Sequence, residues 1–294
     1  MNMSFWETTL VSLTFFSLMM AILSFWVKRT FWLWGSFVLI ALLLGYQSRV
    51  INSVALVPIA VLGFCVWLIY HKVTSSARTV LMLIVVIIST GLAMHLFPGF
   101  HNWKFASDLV LSEDAAPYTF WINFDKPFMG IFLLAWAIPL AQSQVEMRQM
   151  LLKKGLPLSI LGVVLLAGLS FYLGLIRWDP KFTFMIFIWP FVNLFFVTIP
   201  EEAFFRGFIQ EELYQRLIPR TKLANVFAIF LTALFFMLAH LWWVTSLSYL
   251  TAVFIAGCVY GAIYQITKAI EASILCHFLI NLVHFVFFTY PMLR

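Results

Sequence analysis

Three short patterns in the last third of the chain hold side chains that could work together as a general base and as donors to an oxyanion. The first is Glu201-Glu202 with Arg206 four residues after the second carboxylate. On a helix Glu202 and Arg206 share a face, and an ion pair there would keep Glu202 ionised. Glu201 then points about 100° away around the axis, available as a general base. Two adjacent carboxylates would thus acquire different environments and different roles. Pro200 suits the opening turn of a helix, so a helix is expected to start there. The second pattern is Phe236-x-x-x-His240, an imidazole at the end of an apolar run. The third is His277-x-x-x-Asn281, one helical turn apart, with His284 extending the same stripe. Imidazole and carboxamide can donate hydrogen bonds to a developing oxyanion. Each pattern also has a bland reading. The carboxylates could lie on an interfacial helix, and His240 could be a satisfied core group. His277 and Asn281 could be polar glue between helices, worth about 1 kcal/mol.

The elements that must position these groups are set by composition. Of 294 residues, 63% are hydrophobic and only 10% charged. Soluble domains carry roughly 25% charged residues, so lipid must be the main solvent. Backbone amides find no water partner in lipid, which leaves helices or a closed barrel. Continuous apolar runs, without period-2 alternation, decide for helices. The expected fold is an all-α polytopic bundle of about 8–10 spans. Its candidate spans are 6–27, 31–47, 51–70, 79–97, 127–141, 157–176, 182–199, 223–241, 246–267 and 271–288. If residues 200–240 form a hairpin turning at Pro219-Arg220-Thr221, Glu201 and His240 lie at similar height.

Lys and Arg concentrate on the side of Lys153, Lys154, Arg216, Arg220 and Lys222, which is expected to be cytoplasmic. The loop 98–126, with Asp108, Glu113, Asp114 and Asp125, is then expected outside, and the site within the bilayer nearer that face. The net charge of +6 is explained by retained loop cations, and no nucleic-acid partner is expected. Cys65, Cys258 and Cys276 lie in apolar runs without C-x-x-C spacing and read as packing residues. Gly257-x-x-x-Gly261 reads as a close helix–helix contact.

Taken together and in order, the three patterns resemble the CAAX protease and bacteriocin-processing family of intramembrane glutamic proteases, also called Abi or prenyl-protein endopeptidase-like. The resemblance rests on Glu201-Glu202…Arg206, Phe236…His240 and His277…Asn281, and covers roughly 180–290. Asn123-Phe124-Asp125-Lys126-Pro127 also looks like a segment of some bacterial members. The division this implies is 1–180, N-terminal spans of unassigned role, and 181–294, a catalytic core.

The resemblance implies an intramembrane endopeptidase in which Glu201 activates water with help from His240. His277 and Asn281 would stabilise the oxyanion, and Glu202 and Arg206 would orient the site. No cofactor is expected, although Glu201, Glu202, His240 and His277 would be the ligand set of a zinc-dependent version. The missing H-E-x-x-H pattern and the guanidinium beside the carboxylates speak against that version. The implied partners are membrane lipid and a peptide or protein substrate, lipidated or membrane-anchored. The implied location is an integral multi-pass position in a bacterial inner or plasma membrane. A proton-coupled transporter using Glu and His as a relay and a silent adaptor or immunity protein are the competing classes.

Overall fold

The computed structural model describes residues 4–73, 76–241, 244 and 246–293. It is helical apart from one two-stranded sheet, and it divides into two compact units. Among the described helices, Phe5–Val27, Ser53–His71, Gln144–Tyr172, Leu247–Thr267 and Ile270–Phe287 are long and apolar enough to cross a membrane. Phe31–Gln47, Ala77–Ala93, Pro127–Trp136 and Ala224–Ala239 are shorter apolar helices. The chain is an integral multi-pass membrane protein.

The first unit comprises Met1–Phe105, Trp121–Ile138 and Phe195–Pro200. It holds α1 (Phe5–Val27), α2 (Phe31–Gln47), α3 (Leu56–His71) and α4 (Ser76–Ala93), with α5 (Pro127–Trp136) buried along Pro127–Ala135. A helix apolar on every side has no face to offer water, so α5 forms the centre of this unit. Gly63 admits the Phe132 ring, and Gly130 admits the Pro200 backbone, where an added Cβ would stand 2.8 Å from Pro200 Cα. Arg29 lies just past the end of α1. Its guanidinium donates to the carbonyls of Ala135 and Ile138 and caps the end of α5.

The second unit comprises Ala106–Phe120, Pro139–Leu194 and Glu201–Arg294. It packs α7 (Leu156–Tyr172), α11 (Ala224–Ala239), α12 (Leu247–Thr267) and α13 (Ile270–Phe287) with the helical stretch that follows Glu201. Gly257 brings α12 onto α11, since a Cβ there would meet Ala233 Cα and Cβ at 3.0 Å. Gly261, one turn on, makes room for the buried Gln210 amide, which donates to its carbonyl.

Three features depart from the expected spans. The span expected at 157–176 is part of a longer helical run. That run begins with α6 (Gln144–Met150) and passes through a π-helical stretch at Leu151–Gly155. Second, no helix opens at Pro200. Instead α8 (Trp189–Val192), a π stretch at Asn193–Thr198, α9 (Ile199–Glu202), a π stretch at Ala203–Gln210 and α10 (Glu211–Leu217) follow one another without a break. Proline has no N–H to give the preceding turn, and the widened turns before it accommodate the loss. Third, the loop 98–126 carries β1 (Trp103–Leu109) and β2 (Tyr118–Ile122), a small addition to the all-α fold. Asp125, expected on an outer loop, is 1% exposed. It accepts from His95 Nδ1 at 2.8 Å and from Asn102 Nδ2 at 3.2 Å.

Candidate active site

The chemistry-bearing residues are brought to one place by four elements of the second unit. Glu201 and Glu202 end α9, Arg206 lies in the π stretch that follows, and His240 closes α11. His277 and Asn281 lie on α13. The hairpin anticipated between 200 and 240 is present. The π stretch packs along α11, with Phe205 edge-on to Phe236 at 5.0 Å between ring centres.

Glu202 is wholly buried and fully engaged. Its Oε1 accepts from Arg206 Nη1 at 3.0 Å and from His277 Nδ1 at 2.7 Å. Its Oε2 accepts from the Ser273 hydroxyl. Arg206, also wholly buried, donates its other terminal nitrogen to Gly257 O at 3.2 Å. Its guanidinium lies over the rings of Phe236 and Tyr260, at 4.7 and 5.0 Å from their centres. Aromatic faces supply negative potential to a cation that has left water. A buried charge pair of this kind survives only when its remaining donors and acceptors are met, and here they largely are.

Glu201 has a different setting. It is 7% exposed, and its Oε2 stands 3.9 Å from His277 Nε2. That gap is too long for a hydrogen bond and wide enough for a water oxygen to touch both groups from one side. His277 therefore links the two carboxylates, Nδ1 to Glu202 and Nε2 towards Glu201. Tyr260 stacks on the His277 ring at 4.5 Å and 15°, which fixes the ring plane.

Hydrogen bonding also sets which nitrogens carry protons. A carboxylate can only accept, so His277 Nδ1 is the protonated nitrogen. His240 Nδ1 lies 2.8 Å from Phe236 O and is likewise the donor. In their neutral forms both rings keep a lone pair on Nε2. Asn281 Nδ2 donates one of its two protons to Asn193 Oδ1 at 3.3 Å.

A cavity of about 160 Å³ opens beside these groups. His240, His277, Asn281 and Tyr260 line it, and so does His284, whose Nε2 lies 3.2 Å from Thr289 O. It extends to Leu175 and Ile176 after α7 and to Phe288 and Met292 after α13.

Residues 182–283 match the family model of the type II CAAX prenyl endopeptidase Rce1-like proteins. That segment, about a third of the chain, is similar to the CAAX protease family. No curated protein and no solved structure matches it significantly. The matched segment carries Glu201, Glu202, Arg206, His240, His277 and Asn281.

Three residues of this site were not singled out in the sequence. Ser273 stands one turn before His277 and could have been read as the start of the 273-277-281 stripe. Asn193 is the amide in an otherwise apolar run. Tyr260 carries no signal of its own, since a tyrosine in a membrane helix is usually packing.

Proposed function

We propose that the chain hydrolyses peptide bonds of membrane-associated substrates with a water activated by Glu201, in a bacterial inner or plasma membrane. The observation that carries this reading is the approach of Glu201 to the ring that Glu202 holds. Glu202 binds Arg206, His277 Nδ1 and Ser273, and Glu201 Oε2 stands 3.9 Å from His277 Nε2, a gap that a water oxygen can bridge.

In the proposed reaction a water rests beside His277 and donates one proton to Glu201 Oε2. Its remaining proton is directed to the Nε2 lone pair of His240, which lines the same cavity. Glu201 takes a proton as the water oxygen adds to the scissile carbonyl, and the carbonyl oxygen becomes an oxyanion. Asn281 has a second N–H to offer that oxyanion. His277 can offer its Nε2 proton only as imidazolium, because Nδ1–H is already committed to Glu202. Glu202 holds the ring in plane through Nδ1. When the C–N bond breaks, Glu201 returns its proton to the leaving amine. General base catalysis of this kind typically contributes 10²–10⁴-fold.

The same geometry favours a reaction without metal. A zinc set of Glu201, Glu202, His240 and His277 would need Glu202 and the imidazole nitrogens as ligands. Glu202 spends both oxygens on protein donors, and His277 Nδ1 points at a carboxylate. Among the described residues, no group of three His, Cys, Asp or Glu side chains is placed to hold a metal ion. The guanidinium one turn away would also repel a dication. The residues do not fit zinc, and no step is assigned to it.

The test is cleavage of a labelled membrane-anchored peptide by purified protein in detergent, wild type against Glu201→Gln. Loss of cleavage with an unchanged melting temperature supports the reading. Wild-type rates in the variant would overturn it.

A further inference from the structure

The wall that completes the cavity comes from α7, which lies outside the segment matching the family. Val163, Leu166, Ala167 and Ser170 line it, spaced so that one face of the helix supplies them all. His240, His277 and Asn281 line the same space, so a group resting on α7 lies beside the reacting atoms. The position of α7 is fixed by close packing at Gly162. A Cβ there would meet Val259 Cγ1 at 3.0 Å and Cys276 Sγ at 3.1 Å. The helix cannot move towards α12 and α13 to close the cavity, because it already touches both.

Size and chemistry narrow the occupant. The volume is about 160 Å³. A cavity of roughly 150 Å³ takes one benzene ring, and pockets for drug-sized ligands begin at roughly 300 Å³. The enclosed space suits one aliphatic or aromatic side chain. Val163, Leu166 and Ala167 offer no hydrogen bond, so an apolar side chain suits that stretch of the wall.

We propose that this α7 face is the specificity wall of the enzyme. It receives the apolar side chain of the substrate residue next to the scissile bond, and Ala167 sets how large that side chain can be. The proposal rests on the peptidase reading above and adds the residue that limits the size of the side chain the site accepts.

The experiment uses the purified full-length chain in detergent and peptides that differ only beside the scissile bond, carrying Ala, Leu, Phe or Asp. Wild type is expected to favour Leu over both Ala and Asp. Ala167→Leu fills the cavity and is expected to lower the Leu-to-Ala ratio of kcat/KM at least tenfold. Val163→Ala widens it and is expected to raise the Phe-to-Leu ratio. If Ala167→Leu does not fold, the Val163→Ala ratio decides alone. Unchanged ratios in an enzyme that cleaves the series overturn the wall and leave the peptidase reading intact. If wild type cleaves nothing, the peptidase reading fails. The thermal shift given by the uncleaved Leu peptide then decides the wall: a shift lost in Ala167→Leu supports it, and an equal shift in both proteins overturns it.

Discussion

His277 offers Nδ1 to Glu202 at 2.7 Å and holds Nε2 at 3.9 Å from Glu201, so one imidazole joins two carboxylates that are neighbours in the chain. The two glutamates should therefore fail in different ways. Glu201→Gln keeps size and removes basicity, and turnover should fall about 10²–10⁴-fold with little change in melting temperature. Glu202→Gln leaves a buried guanidinium without its counter-charge, an event that costs roughly 3–5 kcal/mol. Its yield and melting temperature should fall along with activity. Parallel melting curves and rates check both, and equal stability loss in the two variants would contradict the division of roles.

Ser273 should matter less than Glu202 and through it. Its hydroxyl meets Glu202 Oε2 and also lies 3.2 Å from Tyr260 O. Ser273→Ala leaves one carboxylate oxygen without a donor, which costs about 1–3 kcal/mol. The expected result is a folded enzyme with a lower melting temperature and reduced kcat, restored in part by Ser273→Thr. Full activity in Ser273→Ala would show that Glu202 needs only Arg206 and His277.

Activity should survive metal removal. The ground is the saturated Glu202, which has no oxygen left for a dication. Prolonged chelation followed by elemental analysis of the active fraction makes the test. Activity lost on chelation and restored only by zinc would require a different arrangement of these side chains.

The close contact of α11 and α12 at Gly257 should be sensitive to a single methyl group. Gly257→Ala places a Cβ 3.0 Å from the backbone of Ala233, which cannot swing aside as a long side chain would. Overpacking of this kind costs typically 1–3 kcal/mol. Gly257 O also accepts from Arg206, so a shift of α12 reaches the site. A lower melting temperature with reduced kcat is expected, and an unaffected protein would mean that the helices part without cost.

How much of this was legible in the sequence depends on the range over which each feature is set. Apolar runs fix where helices lie, because lipid leaves the backbone no alternative, and α1, α2, α12 and α13 fall within a few residues of their expected spans. The i,i+4 pairing of Glu202 with Arg206 was legible for the same local reason. The unbroken course from Trp189 to Leu217 was not, because Pro200 reads as a helix start and the π turns that absorb it leave no mark on composition. The hairpin of β1 and β2 was hidden by its place in a polar loop, although Tyr118-Thr119-Phe120-Trp121-Ile122 is rich in strand-forming residues. The link from His277 to Glu202 spans 75 residues, and no local spacing encodes which of two adjacent carboxylates an imidazole will choose.

The cavity should open to the side opposite the basic loops. Lys153 and Lys154 precede α7 and mark the cytoplasmic side by the distribution of positive charge. The cavity reaches Leu175 and Ile176 beyond the other end of α7, and Phe288 and Met292 beyond the end of α13. Ser170, in the last turn of α7, is half-buried and lines the cavity, so a thiol there reports on the opening. Cys65, Cys258 and Cys276 are first replaced by alanine, since all three are free thiols. In sealed vesicles of known orientation, Ser170→Cys should then react with a membrane-impermeant maleimide added from the non-cytoplasmic side. Prior addition of the Leu peptide should slow that reaction, because the peptide side chain would cover the thiol. Labelling confined to the cytoplasmic side would reverse the placement and point to substrates delivered from the cytosol.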